Sequence, residues 1–124
     1  MRLLLDTHAL IWWLEGQGLA SGAREAITSP ESSVMVSAAS AWEMSIKQAL
    51  GRLQAPDDMV RWILAEDFEE LPVRMVHARL AGALPRHHAD PFDRLLIAQA
   101  QIEGLTIVTR DRAFDAYEVP LLTA

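Results

Sequence analysis

Apolar and polar positions along this chain fall into short blocks of two different rhythms. Arg2 to Leu5 ends in three leucines, an unbroken apolar run that predicts a buried strand stopped by Asp6. A tryptophan-rich helix follows from about His8 to Glu15, closed by Gly16 and Gly18. Ser21 is placed to cap a second helix through Ile27, and the β-branched stretch Ser33–Ser37 reads as the second strand. From Ser40 to Leu50 the apolar positions Trp42, Ile46, Ala49 and Leu50, continued by Leu53, return at helical spacing, and Gly51 is a natural stop. Pro56 and Asp57 announce a further helix with Met59, Val60, Ile63 and Leu64 on its inner face. Glu70–Val73 predicts a third strand, Val76–Leu84 a helix and Pro85–Pro91 a loop. Phe92–Glu103 is a helix closed by Gly104, and Leu105–Thr109 is a strand. A turn at Arg112–Tyr117 leads to a last strand, Val119–Leu122. Strands separated by helices predict βαβ units, hence one α/β domain over residues 1–124, with a mostly parallel sheet and helices on both faces.

Composition narrows the function. The chain has 124 residues, 51% of them hydrophobic, which suits one domain with a real core. Cysteine is absent, so disulfides and thiolate metal sites are excluded, and a reducing compartment is in keeping. Eleven basic residues against seventeen acidic ones give a net charge of −6. A protein gripping nucleic acid by bulk charge would lean basic, so any such contact here is local or passes through cations. The opening MRLLLDTHALIWWL resembles a signal peptide, but Asp6, Thr7 and His8 split it and no small-residue cleavage site follows. No run approaches the ~18 apolar residues of a membrane span. The expectation is a soluble, cytoplasmic domain.

The topology assigns four carboxylates to one place. In open parallel sheets, ligands sit beyond the carboxyl ends of the strands. Asp6 ends the first strand and Asp111 follows the strand that closes at Thr109. The helix carrying Glu43 leaves the second strand at the same edge. Asp93 begins the helix that runs back to the amino end of the Leu105 strand, so it too starts at the carboxyl edge. Clustered carboxylates resist ionisation unless a cation lies among them. Hard oxygen donors without cysteine suit Mg²⁺ or Mn²⁺, which can activate water and steady charge on a phosphoryl group.

Each acid also has a plain structural reading. Asp6 would cap the next helix, and Glu43 stands four residues before Lys47 in the favourable ion-pair order. Asp90-Pro91-Phe92-Asp93 has the form of a helix start with Asp90 at the cap, and Asp111 would open the Arg112 turn. Their common edge is what favours one site. The four histidines, His8, His77, His87 and His88, form no zinc pattern. His77 reads as a core or surface residue, and His87 and His88 flank the acidic loop, where they either touch phosphate or do nothing special. Arg86, Arg94, Arg110 and Arg112 are candidates for phosphate contacts. Trp12 and Trp13 point about 100° apart on their helix, so partial burial of both competes with a partner surface shared with Trp62.

Four segments together resemble a known family: LLLDTHALIWWL at Leu3–Leu14, SAASAWEMSIKQALGRL at Ser37–Leu53, HHADPFDRLLIAQAQIEGL at His87–Leu105, and TRD at Thr109–Asp111. The chain resembles PIN-domain nucleases, specifically the VapC-type toxins of bacterial toxin–antitoxin pairs. The resemblance implies a sheet of about five parallel strands and a Mg²⁺- or Mn²⁺-dependent endoribonuclease. It also implies an RNA substrate, a small antitoxin partner and a homodimer. Its metal-site acids fall on Asp6, Glu43, Asp93 and Asp111, with Thr7 and Thr109 orienting water, while the role of Asp90 stays open. Where many members carry another acid after the TRD turn, this chain has Arg112, Ala113 and Phe114, leaving Asp115 as the nearest substitute. Aspartyl-phosphate chemistry would want an acid at position 8, which is His, and a receiver-like domain would want a late lysine, whereas the sole lysine is Lys47. A silent binding module would be expected to have lost one of the four acids.

Overall fold

The computed structural model describes residues 1–124. Five strands, β1 (Arg2–Leu5), β2 (Ser33–Ser37), β3 (Glu69–Leu71), β4 (Thr106–Thr109) and β5 (Leu121–Thr123), form one sheet in the order β3-β2-β1-β4-β5. Every neighbouring pair is parallel. The helices are α1 (Thr7–Glu15), α2 (Ser21–Thr28), α3 (Ala38–Ala49), α4 (Met59–Leu64), α5 (Met75–Ala83) and α6 (Pro91–Glu103), and a 3₁₀ turn spans Arg112–Ala116. No helix is long and apolar enough to cross a membrane.

The leucine run becomes the central strand because only a strand covered on both faces can hide three consecutive leucines, and Leu3, Leu4 and Leu5 are all fully buried. Side-chain alternation divides them between two cores. Leu3 and Leu5 join Leu10 of α1, Ile27 of α2 and Met59 and Ile63 of α4, while Leu4 joins Leu96 and Ile97 of α6.

Chain order then defines the functional edge. From β1 the chain steps outward to β2 and β3, and α5 and α6 carry it back to β4 on the other side of β1. The connections therefore leave β1 and β4 in opposite directions, which makes the crevice at their carboxyl ends the topological switch point. Asp6 follows β1 directly, and Asp111 lies two residues past the end of β4.

Several element limits differ from expectation for local reasons. β3 stops at Leu71 rather than Val73 because Pro72 has no N–H for the ladder, and β5 begins at Leu121, after Pro120, rather than at Val119. α3 begins at Ala38, before Ser40, because the Ser37 hydroxyl accepts from the Ala39 N–H at 3.0 Å. Ser21 is the first helical residue of α2 and makes no cap, since Ala20 holds that position. α4 is too short to bury a broad face. Met59 and Ile63 are covered, but Val60 and Leu64 are exposed and line an open apolar groove with Ala38 and Ala41 of α3. Trp12 and Trp13 are both half-buried.

Candidate active site

Asp6 is held at the switch point by its own backbone, whose N–H donates to the Val108 carbonyl of β4 at 3.1 Å. Its Oδ1 accepts from the Ala9 N–H at 2.8 Å and so caps α1, as the structural reading expected. The side chain is also only 4% exposed. Burial pushes its carboxyl above the ordinary aspartate range, and the nearby charge of Asp111 acts the same way, against hydrogen bonds from Thr109 and Ala9. The neighbouring Thr7 is buried, and its hydroxyl donates to Glu43 Oε1 at 2.6 Å. Glu43 does pair with Lys47, at 3.2 Å, yet it is not a surface residue: α3 turns it inward against the residue that follows Asp6.

Asp93 reaches the same edge from the first turn of α6. Asp90 is the cap, its Oδ1 accepting from the N–H groups of Phe92 at 2.8 Å and Asp93 at 3.0 Å, with Pro91 in the first turn. Asp93 Oδ2 lies 2.7 Å from Nε2 of His88, and Asp111 Oδ2 lies 3.8 Å from the same nitrogen. One donor atom from each of these three residues falls within 4.8 Å of the others. Burial pushes the Asp93 carboxyl up to about 6; Asp90 and Asp6 add to the rise and His88 opposes it. Asp111 serves twice. Its Oδ1 starts the 3₁₀ turn by accepting from Ala113 N–H at 2.9 Å, while its N–H donates to Thr109 Oγ1 at 3.1 Å. Asp6 is coupled by charge to Asp93 and Asp111 but lies outside the three-residue cluster, and so does Glu43, which bonds to Thr7, the residue after Asp6.

Other candidates lie elsewhere. Asp115 faces Arg112 at 3.8 Å on the open surface, outside the three-residue cluster. Two of the expected phosphate-binding arginines are spent on the fold. Arg94 donates to the carbonyls of Ala81, Leu84, Pro85 and His88, and Arg110 donates to those of Gly18 and Ala124. The Arg110 guanidinium also lies over the Trp12 ring, 4.2 Å from its centroid. His77 is a core residue: its Nδ1 accepts from the Arg74 N–H, and its Nε2 lies 3.2 Å from Glu103.

A profile of the PIN domain family matches residues 3–120. The chain belongs to the PIN domain family. Ribonuclease VapC22 of Mycobacterium tuberculosis (strain ATCC 25618 / H37Rv) is 33% identical over 122 residues, covering 95% of this chain and 93% of that one. The fold matches VapBC2 of Rickettsia felis, solved bound to a promoter DNA fragment, with a TM-score of 0.73 at 13% identity over 98% of each chain. It also matches VapBC-5 of Mycobacterium tuberculosis, a member of the VapBC family of toxin–antitoxin systems, with a TM-score of 0.64 at 22% identity over 99% of this chain and 98% of that one.

In this PIN domain the residue whose place in the site sequence reasoning missed is His88, read there only as a loop histidine that touches phosphate or does nothing special. Its only sequence signal is its position just ahead of the Asp90–Asp93 segment, which does not say where its ring points. A second is Ser40, one turn ahead of Glu43 on α3, whose Oγ is buried without a hydrogen-bond partner.

Proposed function

We propose that this chain is the toxin of a toxin–antitoxin pair, an endoribonuclease that hydrolyses RNA phosphodiester bonds with a bound divalent cation. The observation that carries this reading is the gathering of Asp6, Asp93 and Asp111, acids from three distant segments, at the switch point, where the charge of Asp111 acts on the buried Asp6 carboxyl and that of Asp6 on Asp93. Partly buried carboxylates without enough cationic partners fit a hard divalent ion, and the oxygen donors suit Mg²⁺ or Mn²⁺. Such an ion, when bound, supplies counter-charge and Lewis acidity to a phosphoryl group. Asp6, Asp93 and Asp111 would hold it. Glu43, oriented by Thr7, is the fourth acid, and Thr109 steadies both Asp6 and Asp111. Asp90 acts through the backbone of Asp93, and Asp115 has no part in holding the ion.

The relatives' names support the pairing with an antitoxin, and the acidic rim says how it would dock. A basic side chain, best a bidentate arginine, would enter among the carboxylates. The working form would be a cytoplasmic homodimer. The test is incubation of purified protein with cellular RNA under Mg²⁺, Mn²⁺ or chelator, followed by mapping of fragment ends. Cleavage should need the cation, and Asp6→Asn should stop it while the circular dichroism spectrum stays unchanged. Undiminished cleavage in chelator would overturn the mechanism.

A further inference from the structure

We propose that His88 is a nitrogen ligand of the cation bound at this site, and that it tilts the site toward Mn²⁺ over Mg²⁺. The inference rests on the cation-dependent reading above and adds a donor of different chemistry to it. Its first support is distance. Two adjacent ligands of an octahedral ion, each ~2.1 Å from the metal, lie about 3 Å apart. The His88 Nε2 atom lies 2.7 Å from Asp93 Oδ2, close to that spacing, and 3.8 Å from Asp111 Oδ2, and the three donor atoms lie within 4.8 Å of one another, near enough for a bound ion to draw them together.

The second support is how firmly the imidazole is aimed. A histidine in an idle loop is free to swing. The backbone of this one is gripped on both sides: the His88 N–H donates to the Tyr117 hydroxyl at 2.9 Å, and its carbonyl accepts from Arg94 at 3.2 Å. The ring packs edge-to-face against Phe114, which is fully buried, with centroids 6.1 Å apart. Arg94 fastens the rest of the loop by donating to the carbonyls of Leu84 and Pro85, and the Tyr117 hydroxyl donates to Pro85 as well. A partly buried guanidinium spent on loop carbonyls is a costly way to hold a segment unless the position of a side chain on it matters. The tautomer protonated at Nδ1 turns the Nε2 lone pair toward the point that Asp93 Oδ2 also faces. Imidazole favours transition metals, whereas Mg²⁺ prefers oxygen, so a nitrogen among carboxylates shifts the preference toward Mn²⁺.

Untagged full-length protein loaded with Mn²⁺ allows a direct reading by electron spin echo envelope modulation, which detects ¹⁴N coupled to the ion. Wild type should show imidazole ¹⁴N modulation. His88→Gln should bind Mn²⁺ without that modulation, and its affinity ratio for Mn²⁺ over Mg²⁺, measured by calorimetry, should fall about tenfold. His8→Gln, which alters the other histidine near Asp6 and Asp111, should keep the modulation. Mn²⁺ bound by wild type without ¹⁴N coupling, or coupling that survives His88→Gln, would overturn the assignment and leave the cation site standing. Failure of wild type to bind either ion would overturn both.

Discussion

At Asp93 the fold makes a carboxyl hold its proton far longer than water would. Its folded value is about 6 against 3.8 for the free side chain, with burial the main cause. The folded protein therefore binds more protons than the unfolded chain between about pH 4 and 6, and the group's stabilising effect, full below that window, is lost as pH rises through it. Solvent still reaches part of the side chain, so a screened figure of about 1 kcal/mol is appropriate at neutral pH. Asp93→Asn should thus stabilise the metal-free protein by about that amount at pH 7, and the gain should fade toward pH 4. Urea unfolding at pH 4.5, 5.5 and 7 would show it; a variant weaker than wild type at pH 7 would count against a strained carboxyl. Thr7 makes the opposite case. Its hydroxyl satisfies a buried, charged acceptor on Glu43, so Thr7→Val should cost about 2 kcal/mol in the same assay.

At the scale of elements, the start of α6 and the loop before it divide the labour of aiming Asp93 and His88. Asp90 caps the helix through two backbone N–H groups. Serine caps nearly as well, so Asp90→Ser should leave stability within a few tenths of a kcal/mol and keep most RNA cleavage, while Asp90→Ala should lose about 1 kcal/mol. Equal loss of cleavage in Asp90→Ser and Asp93→Asn would mean that Asp90 also holds the cation. Arg94 does for the loop what Asp90 does for the helix, through four carbonyls at 2.7 to 3.2 Å. A lysine carries the charge but not the planar fork. Arg94→Lys should therefore destabilise by roughly 2 kcal/mol and loosen the His88 loop, visible as faster amide exchange across residues 85–90.

For the whole molecule, the decisive feature is an acidic rim at the switch point of an acidic protein. Repulsion within that rim is relieved when a cation binds, and a ligand stabilises the fold only as far as it prefers the folded state. At 100-fold excess over its dissociation constant, Mn²⁺ should add about 2.7 kcal/mol, which for a chain of this size raises Tm by about 8–15 °C. Asp6→Asn and Asp111→Asn should raise Tm in chelator and shrink the Mn²⁺ response. Glu43→Gln should lower Tm in chelator, because the Thr7 hydroxyl and Lys47 both favour the carboxylate. Uniform Mn²⁺ responses across all three would dismiss a shared site.

Much of this was written along the chain itself. Apolar runs broken by glycine and proline carry the strand–helix alternation, because burial and backbone freedom are local demands. β1 and β2 fall on the residues expected, and Asp6, Glu43, Asp93 and Asp111 all begin from one sheet edge because parallel connections leave no other arrangement. Strand order was not legible, since pairing is a long-range choice: only the fold sets β4 beside β1 and makes Asp6 and Asp111 neighbours. Nor did spacing show that Glu43 would turn inward to Thr7, that Arg94 and Arg110 would serve backbone carbonyls, or that His88 would swing onto Asp93. Those outcomes depend on which side chains meet across the packed layers. Residue type and order settle the elements and the edge where chemistry gathers; the tertiary structure decides which donor faces which acceptor there, because contact between distant segments exists only once the chain is folded.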